Sequence, residues 1–422
     1  MKRKNDNIKK NFLWNTIGTS LNAFNSLFYM IIVTRINGVN DAGIFTFAFS
    51  TACLFYVIGI YSGRSYQVTE NDKKISDSDY FYTKIITCMI MILISILNCF
   101  INQYSIYKIS VIMFLVLYKS IEAFSEFTYA VIQKNDELYK VGKSMFYKSL
   151  FSLLLFLLLD ILTKNILVSE ISIIVVNIII VLLYDFPNLK QTKFQLKEIN
   201  RNGIINLLKK GFCAFMFTFL TLYVINASKY AIDGNLEDKF QTVFGIILMP
   251  ATILSLFAQF IIQPFVLKMK NLLNSNYIDF LILIIKISVF IFIIGILIIM
   301  IAYPFGTPIL SLLYGINLKE YTIDLIVILI GAIFYSLTMV FSTALTTMRY
   351  TFNQMIIFAI TSIITMFLSN YLVINSKIYG ASIAYMISMF ILLVLYIIIF
   401  IISYKKYFIE NKKETLIDDY RR

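Results

Sequence analysis

The most constraining feature of this 422-residue chain is a succession of apolar runs, most of them 19–25 residues long, broken by short polar stretches. They fall at about 12–34, 42–62, 81–101, 107–131, 145–163, 167–186, 207–228, 240–263, 279–302, 322–344, 354–374 and 380–403. About 20 consecutive apolar residues are what a helix needs to cross the hydrocarbon core of a bilayer. Composition agrees. Hydrophobic residues make up 59% of the chain and charged residues 14%, with a mean hydropathy of +0.79. A soluble domain runs nearer to about 45–50% apolar and about 25% charged. The short alternating segments of a transmembrane β-barrel do not occur. The chain is therefore expected to be all-α and polytopic, with about twelve transmembrane helices.

The net charge of +13 would suggest nucleic acid in a soluble protein. In a membrane protein it reads as topology, because Lys and Arg collect in cytoplasmic loops. With the N-terminus inside, 28 cations fall in inward segments and 7 in outward ones, and Lys119 and Lys286 lie within spans. This pattern predicts that both termini are cytoplasmic and gives no role to nucleic acid. The basic start, MKRKNDNIKK, runs into a long span without a small-x-small cleavage site and reads as the first helix rather than a signal peptide. The longest connection, 190–206, divides the spans six and six. It predicts an N-terminal lobe over 1–189, a cytoplasmic linker over 190–206, a C-terminal lobe over 207–403 and a charged cytoplasmic tail over 404–422. Many transporters consist of two such halves with the substrate between them.

Ionisable residues inside a bilayer are costly and point to function. The fourth helix carries Lys119, Glu122 and Glu126, which fall on one face at 100° per residue. They read as a local i,i+3 ion pair or as the lining of a hydrated cavity, with Lys119 attracting an anion and Glu122 or Glu126 exchanging a proton. Lys286 sits inside the ninth helix, either in the cavity or snorkelling to the surface. Arg35, Arg64 and Lys229 lie near span ends, with Asn226 and Asp233 adding polarity around Lys229. Gln259 and Gln263 are one turn apart in the eighth helix, which Pro250 and Pro264 should bend. The first helix is unusually polar, and the face bearing Asn11, Asn15, Asn22 and Asn25 should look toward the other half or a hydrated cavity. Asp160, Glu170 and Asp185 are expected at the membrane interfaces. The chain contains no histidine, so His metal sites and His proton relays are excluded. Its four cysteines have no paired spacing and read as small core residues. No P-loop or G-x-S-x-G occurs, so neither an ATP-driven motor nor an α/β-hydrolase-type enzyme is indicated.

The run from Lys10 to Val68 resembles the opening of the bacterial oligosaccharide-lipid flippases, the Wzx-like branch of the multidrug/oligosaccharidyl-lipid/polysaccharide (MOP) exporter superfamily. The shared features are the Arg after the first helix, D-A-G-I-F (Asp41–Phe45) and G-R-S-Y-Q (Gly63–Gln67). In the second half, NASKYAID (Asn226–Asp233) and YGASIAY (Tyr379–Tyr385) are similar to family segments, the latter lacking one glycine. The resemblance implies a V-shaped, two-lobed helical transporter in the bacterial cytoplasmic membrane. It would move an undecaprenyl-diphosphate-linked oligosaccharide repeat unit from the inner to the outer leaflet, for capsule, O-antigen or similar polymers. It further implies cations in a central cavity, with Arg35, Arg64 and Lys229 at matching positions. It also implies no cofactor beyond a possible H⁺ or Na⁺ coupling ion, and work alongside a polysaccharide polymerase and other assembly proteins. Two alternatives stay open. A multidrug/cation antiporter of the MATE type would need an acidic, aromatic-rich cavity. A membrane polysaccharide polymerase would need a large catalytic external loop, and the longest expected here, 303–321, carries one Lys and one Glu.

Overall fold

A computed structural model describes the backbone of residues 2–61, 63–69, 75–192 and 194–420, and the side chains of these except 2–8, 274 and 408–420. Lys73, Lys74, Lys193, Arg421 and Arg422, all counted above as inward-facing cations, lie outside the described residues. The described chain is almost entirely helical. Each of the twelve apolar runs falls mostly on a helix: α1 (Lys2–Ile36), α2 (Val39–Ile60), α3 (Asp77–Ile101), α4 (Ile106–Lys134), α5 (Leu138–Thr163), α6 (Ile166–Ile180), α7 (Arg201–Asn235), α8 (Asp238–Ile262), α9 (Tyr277–Tyr314), α10 (Thr322–Thr347), α11 (351–375) and α12 (378–420). Among the described residues, ten segments are long and apolar enough to cross a membrane; one of them holds both α11 and α12. The charged α4 is not among the ten. The chain is thus a multi-pass membrane protein.

Local chemistry sets the breaks. Ser76 caps α3, accepting from Asp79 N–H while the Asp79 carboxylate accepts from Ser76 N–H at 2.7 Å. Pro264 lies in a 3₁₀ turn, Gln263–Phe265, that joins α8 to a shorter helix, Val266–Ser275. Ser376 and Lys377 leave helical geometry and separate α11 from α12. Near the end of α6, Pro187 has no N–H to give and its ring crowds the carbonyl one turn back. The helix relieves this as a π-turn over Val181–Asp185, in which Phe186 N–H reaches Val181 O. The expected external segment 303–321 is mostly helix, because α9 continues to Tyr314.

The chain divides into two compact units, Met1–Phe219 and Leu220–Arg422. The division falls inside α7 and not in the polar connection. That connection is tied to unit 1: Ser78 Oγ donates to Gln195 O at 3.2 Å, Lys197 N–H donates to Ser78 Oγ at 2.9 Å, and Tyr82 OH donates to Lys197 O at 3.0 Å.

In unit 1, α2 packs against α4 and α3, and α1 lies along α5. The α1–α5 contact depends on Gly18 and Gly142. A Cβ on Gly18 would strike the Gly142 carbonyl, and one on Gly142 would strike the Trp14 backbone. Small residues that let backbones approach are the usual device of membrane helix pairs. Gly142→Ala is therefore expected to cost about 1–3 kcal/mol through forced separation of the helices. A fall in the thermal unfolding midpoint of the detergent-solubilised protein measures it; an unchanged midpoint would contradict the close approach.

The same packing engages part of the polar face of α1. Its asparagine face meets its own unit: Asn11 Nδ2 donates to Asp136 O at 3.0 Å, and Asn11 Oδ1 accepts from Tyr139 N–H at 2.8 Å. The Asn11 amide thus satisfies backbone groups at the start of α5 and the turn before it, partners that α1 alone does not reveal.

In unit 2, α10 packs against α8, α9 and the α11–α12 pair. The polar ties between its helices are mostly neutral. Ser228 Oγ donates to Ala381 O at 3.0 Å, and Gln354 Oε1 accepts from Ser342 Oγ at 2.6 Å and from Tyr396 OH at 3.2 Å. Asp324 is an exception, accepting from Ser382 Oγ at 3.2 Å.

Candidate functional site

The charges of α4 are brought together with those of four other elements of unit 1. Lys119, 9% exposed, sits among the rings of Phe49, Tyr56 and Tyr118, at 4.9–5.4 Å from their centroids. Its ammonium pairs with Glu122 Oε2 at 2.7 Å. The other oxygen, Glu122 Oε1, accepts from Asn22 Nδ2 at 3.1 Å, and Asn22 Oδ1 accepts from Ser149 Oγ at 3.3 Å. One turn further along, Glu126 Oε2 lies 3.8 Å from Arg64 Nε. Arg64 is carried by a short helix, Gly63–Val68. Gly63 has φ +64°, a left-handed conformation that glycine adopts without strain.

Two properties distinguish the Glu126 end. Arg64 Nη1 is buried and has no hydrogen-bond partner among the described residues. Lys84, 2% exposed, places its ammonium 3.3 Å from the Tyr61 carbonyl. Arg64, Lys84 and Lys148 all act electrostatically on Glu126.

Lys148 and Asp185 complete the network, a pairing that no spacing in the sequence signals. Lys148 Nζ donates to Ser125 Oγ at 2.8 Å, Tyr129 OH at 2.9 Å and Asp185 Oδ2 at 2.6 Å. Asp185 Oδ1 accepts from Ser144 Oγ at 2.6 Å. All three ammonium donors and both carboxylate oxygens are engaged, the condition under which a buried pair is tolerated. Asp185 occupies the last position of the π-turn. Asp185, expected at a membrane interface, is 0% exposed and paired across helices. Asp160 and Glu170 are likewise buried, at 0% and 1% exposure. Asp160 Oδ1 accepts from Ser169 Oγ at 3.0 Å, while both Glu170 oxygens are buried without a partner among the described residues. The network holds four cations (Arg64, Lys84, Lys119, Lys148) against three carboxylates (Glu122, Glu126, Asp185).

The remaining expected residues lie elsewhere. Asn15 is half-buried and Asn25 buried in α1, each with an unpartnered Oδ1 among the described residues. Arg35 is exposed at the end of α1, and Lys229 and Asp233 are half-buried in α7; all three make polar or charged contacts. Asn226 bonds its own helix at Leu222 O, 3.0 Å away. Gln259 and Gln263 are exposed. Lys286 is exposed beside Ile285 and near Val289, both about half exposed, so it is no buried cation.

The sequence matches no family model and no curated protein. Solved structures do match. The lipid II flippase MurJ, in an inward closed conformation, superposes with a TM-score of 0.70 at 14% identity, covering 94% of this chain and 90% of that one. An inward-facing multidrug resistance MATE transporter of the MOP superfamily gives 0.67 at 12% identity, covering 94% and 99%. A point mutant of the Vibrio cholerae MATE transporter VcmN gives 0.60 at 13% identity, covering 96% and 98%. At such identities the likeness is one of fold: over nearly its whole length, the chain has the all-helical fold of MurJ and the MATE transporters.

Proposed function

We propose that this protein is a flippase of the MOP superfamily that carries an undecaprenyl-diphosphate-linked oligosaccharide repeat unit from the inner to the outer leaflet of the bacterial cytoplasmic membrane, by alternating access, for assembly of a surface polysaccharide. The observation that carries this reading is Arg64: a cation within the helical unit, with a buried donor unused among the described residues, which shares Glu126 with buried Lys84. Such a pair suits the oxygens of a diphosphate, which accept several charge-assisted hydrogen bonds. Desolvating a diphosphate in hydrocarbon costs many kcal/mol, and a cationic polar path lowers that cost. The inside-negative potential favours outward movement of an anion by about 2.3 kcal/mol per charge per 100 mV. Glu126 competes with the substrate for Arg64 and Lys84 and re-pairs when the anion leaves. Proton exchange at Glu122 or Glu126 would couple that step to the proton gradient. Arg35 and Lys229 are further cations assigned to the substrate.

In cells, Arg35→Ala and Lys229→Ala are each expected to abolish surface-polysaccharide export while the protein stays in the membrane at normal level, read by polymer immunoblot beside a membrane blot. Normal export by both variants would remove them from the path.

One observation favours a second reading, the MATE-type multidrug/cation antiporter. Glu170 is a buried carboxyl without a partner among the described residues, suited to carrying a proton against a cation. Proton-driven extrusion of a cationic dye, lost in Glu170→Gln, would support that reading and count against the flippase.

A further inference from the structure

Tyr61 follows the last residue of α2, three positions before Arg64, and reaches in two directions. Its backbone carbonyl accepts from the Lys84 ammonium at 3.3 Å, and Glu126 acts electrostatically on that ammonium. Its side chain goes the other way, to α7. The Tyr61 hydroxyl donates to Leu208 O at 2.7 Å. The ring stacks on Phe215, with 4.9 Å between centroids and 24° between planes. Leu208 and Phe215 are seven positions apart in one helix and so share a face. A carbonyl oxygen has two lone pairs, so Leu208 can accept from Tyr61 without giving up its place in the helix ladder.

The part of α7 that Tyr61 holds belongs to unit 1. Leu207 is fully buried in an apolar cluster with Tyr80, Phe127 and Val131, and Tyr61 packs against that cluster. At the start of the helix, a Cβ on Gly203 would lie 2.7 Å from the Asp79 carboxylate, too close unless Asp79 moved. Residues 201–219 are thus fastened to unit 1 at Asp79, at the Leu207 cluster and at Tyr61, whereas the rest of α7 belongs to unit 2. Each unit is one continuous stretch, so the chain passes between them once, and it does so inside α7. Of the three fastenings, Tyr61 is the one whose backbone is bonded to a cation of the ion network. A change in the partners of Lys84, or a shift of Arg64 three positions on, acts on the Tyr61 backbone. A tyrosine has only two side-chain torsions, so its ring passes such a shift on with little slack.

We infer that Tyr61 is a positioning residue that ties the state of the Arg64–Lys84–Glu126 cluster to α7, so that binding an anion or neutralising Glu126 changes how α7 is held before it enters unit 2. The inference rests on the flippase reading for the identity of the anion, and not for the linkage itself.

The test is hydrogen–deuterium exchange, read by mass spectrometry on the full-length protein in nanodiscs, with flipping measured on the same preparations. Glu126→Gln neutralises the carboxylate without any ligand. Tyr61→Phe keeps the ring on Phe215 and removes the bond to Leu208. Glu126→Gln is expected to speed exchange within 201–219 by at least about threefold, a coupling at the low end of that found within one network. In the Tyr61→Phe background the same substitution should leave that segment unchanged. Tyr61→Phe should also lower the maximal flipping rate about fivefold, the size of one net hydrogen bond, at an unchanged half-saturating substrate concentration, because Arg64 and Lys84 remain. A merely structural role would instead lower the unfolding midpoint and raise exchange throughout unit 1. Equal effects of Glu126→Gln in both backgrounds overturn the linkage, as does a Glu126→Gln protein whose 201–219 segment exchanges like the wild type. Flipping with additive exchange effects sinks the role of Tyr61 alone. Coupled exchange in a protein that moves no lipid-linked oligosaccharide upholds the linkage and sinks the flippase reading.

Discussion

Asp185→Leu is expected to destabilise unit 1 by about 3–5 kcal/mol, the cost of leaving a buried charge without its partner. The ammonium of Lys148 would keep two neutral hydroxyl acceptors, Ser125 and Tyr129, and lose the carboxylate 2.6 Å away. Ser144 would lose its acceptor as well. The pair joins α5 to the π-turn following α6, so the loss loosens the wall behind Glu122 and Glu126. Thermal unfolding in detergent measures the effect. Lys148→Met combined with Asp185→Leu should recover most of the midpoint, because two apolar side chains need no partners. A double variant no more stable than Asp185→Leu alone would contradict the pairing as the source of the cost.

Arg64→Ala carries the second large effect. Truncating one member of a desolvated charge pair typically costs about 2–5 kcal/mol, so flipping of the lipid-linked substrate should fall by at least about thirtyfold. Arg64→Lys should recover only part of the rate, since a compact ammonium cannot reproduce the planar fork. Glu126→Gln should behave differently. With the competing carboxylate gone, the substrate concentration for half-maximal flipping should fall, and the maximal rate should fall with it as release slows. Combined with Glu122→Gln, it should also remove any dependence on the proton gradient. Concentration series on reconstituted protein separate these outcomes; a Glu126→Gln variant with unaltered kinetics would show that the carboxylate takes no part.

The helices were legible because hydropathy over about 20 residues is a one-dimensional signal, and even the break at Ser376–Lys377 falls between two apolar runs. The Lys119–Glu122 pair was legible for the same reason, as a contact set by helical spacing alone. The pairing of Lys148 with Asp185 was not. They are 37 positions apart, each close to a run boundary, and their meeting depends on how α5 and α6 pack and on the π-turn before Pro187. Lys84 was likewise counted among inward-facing loop cations, although it is buried against Tyr61. The face of α1 was read as polar, which it is, but its partners are on α4 and α5 and could not be inferred from α1. Lys286, also inside an apolar run, is exposed, and position within a run does not by itself report burial.

The most direct measurement of the central claim is flipping of a fluorescent undecaprenyl-diphosphate-linked oligosaccharide by the purified full-length protein in sealed proteoliposomes, read by the access of a membrane-impermeant quencher. The account predicts protein-dependent movement across the bilayer that collapses in Arg64→Ala and survives in Lys286→Ala. Absence of movement by the wild-type protein, with proton-driven export of a cationic dye by the same vesicles, would contradict it.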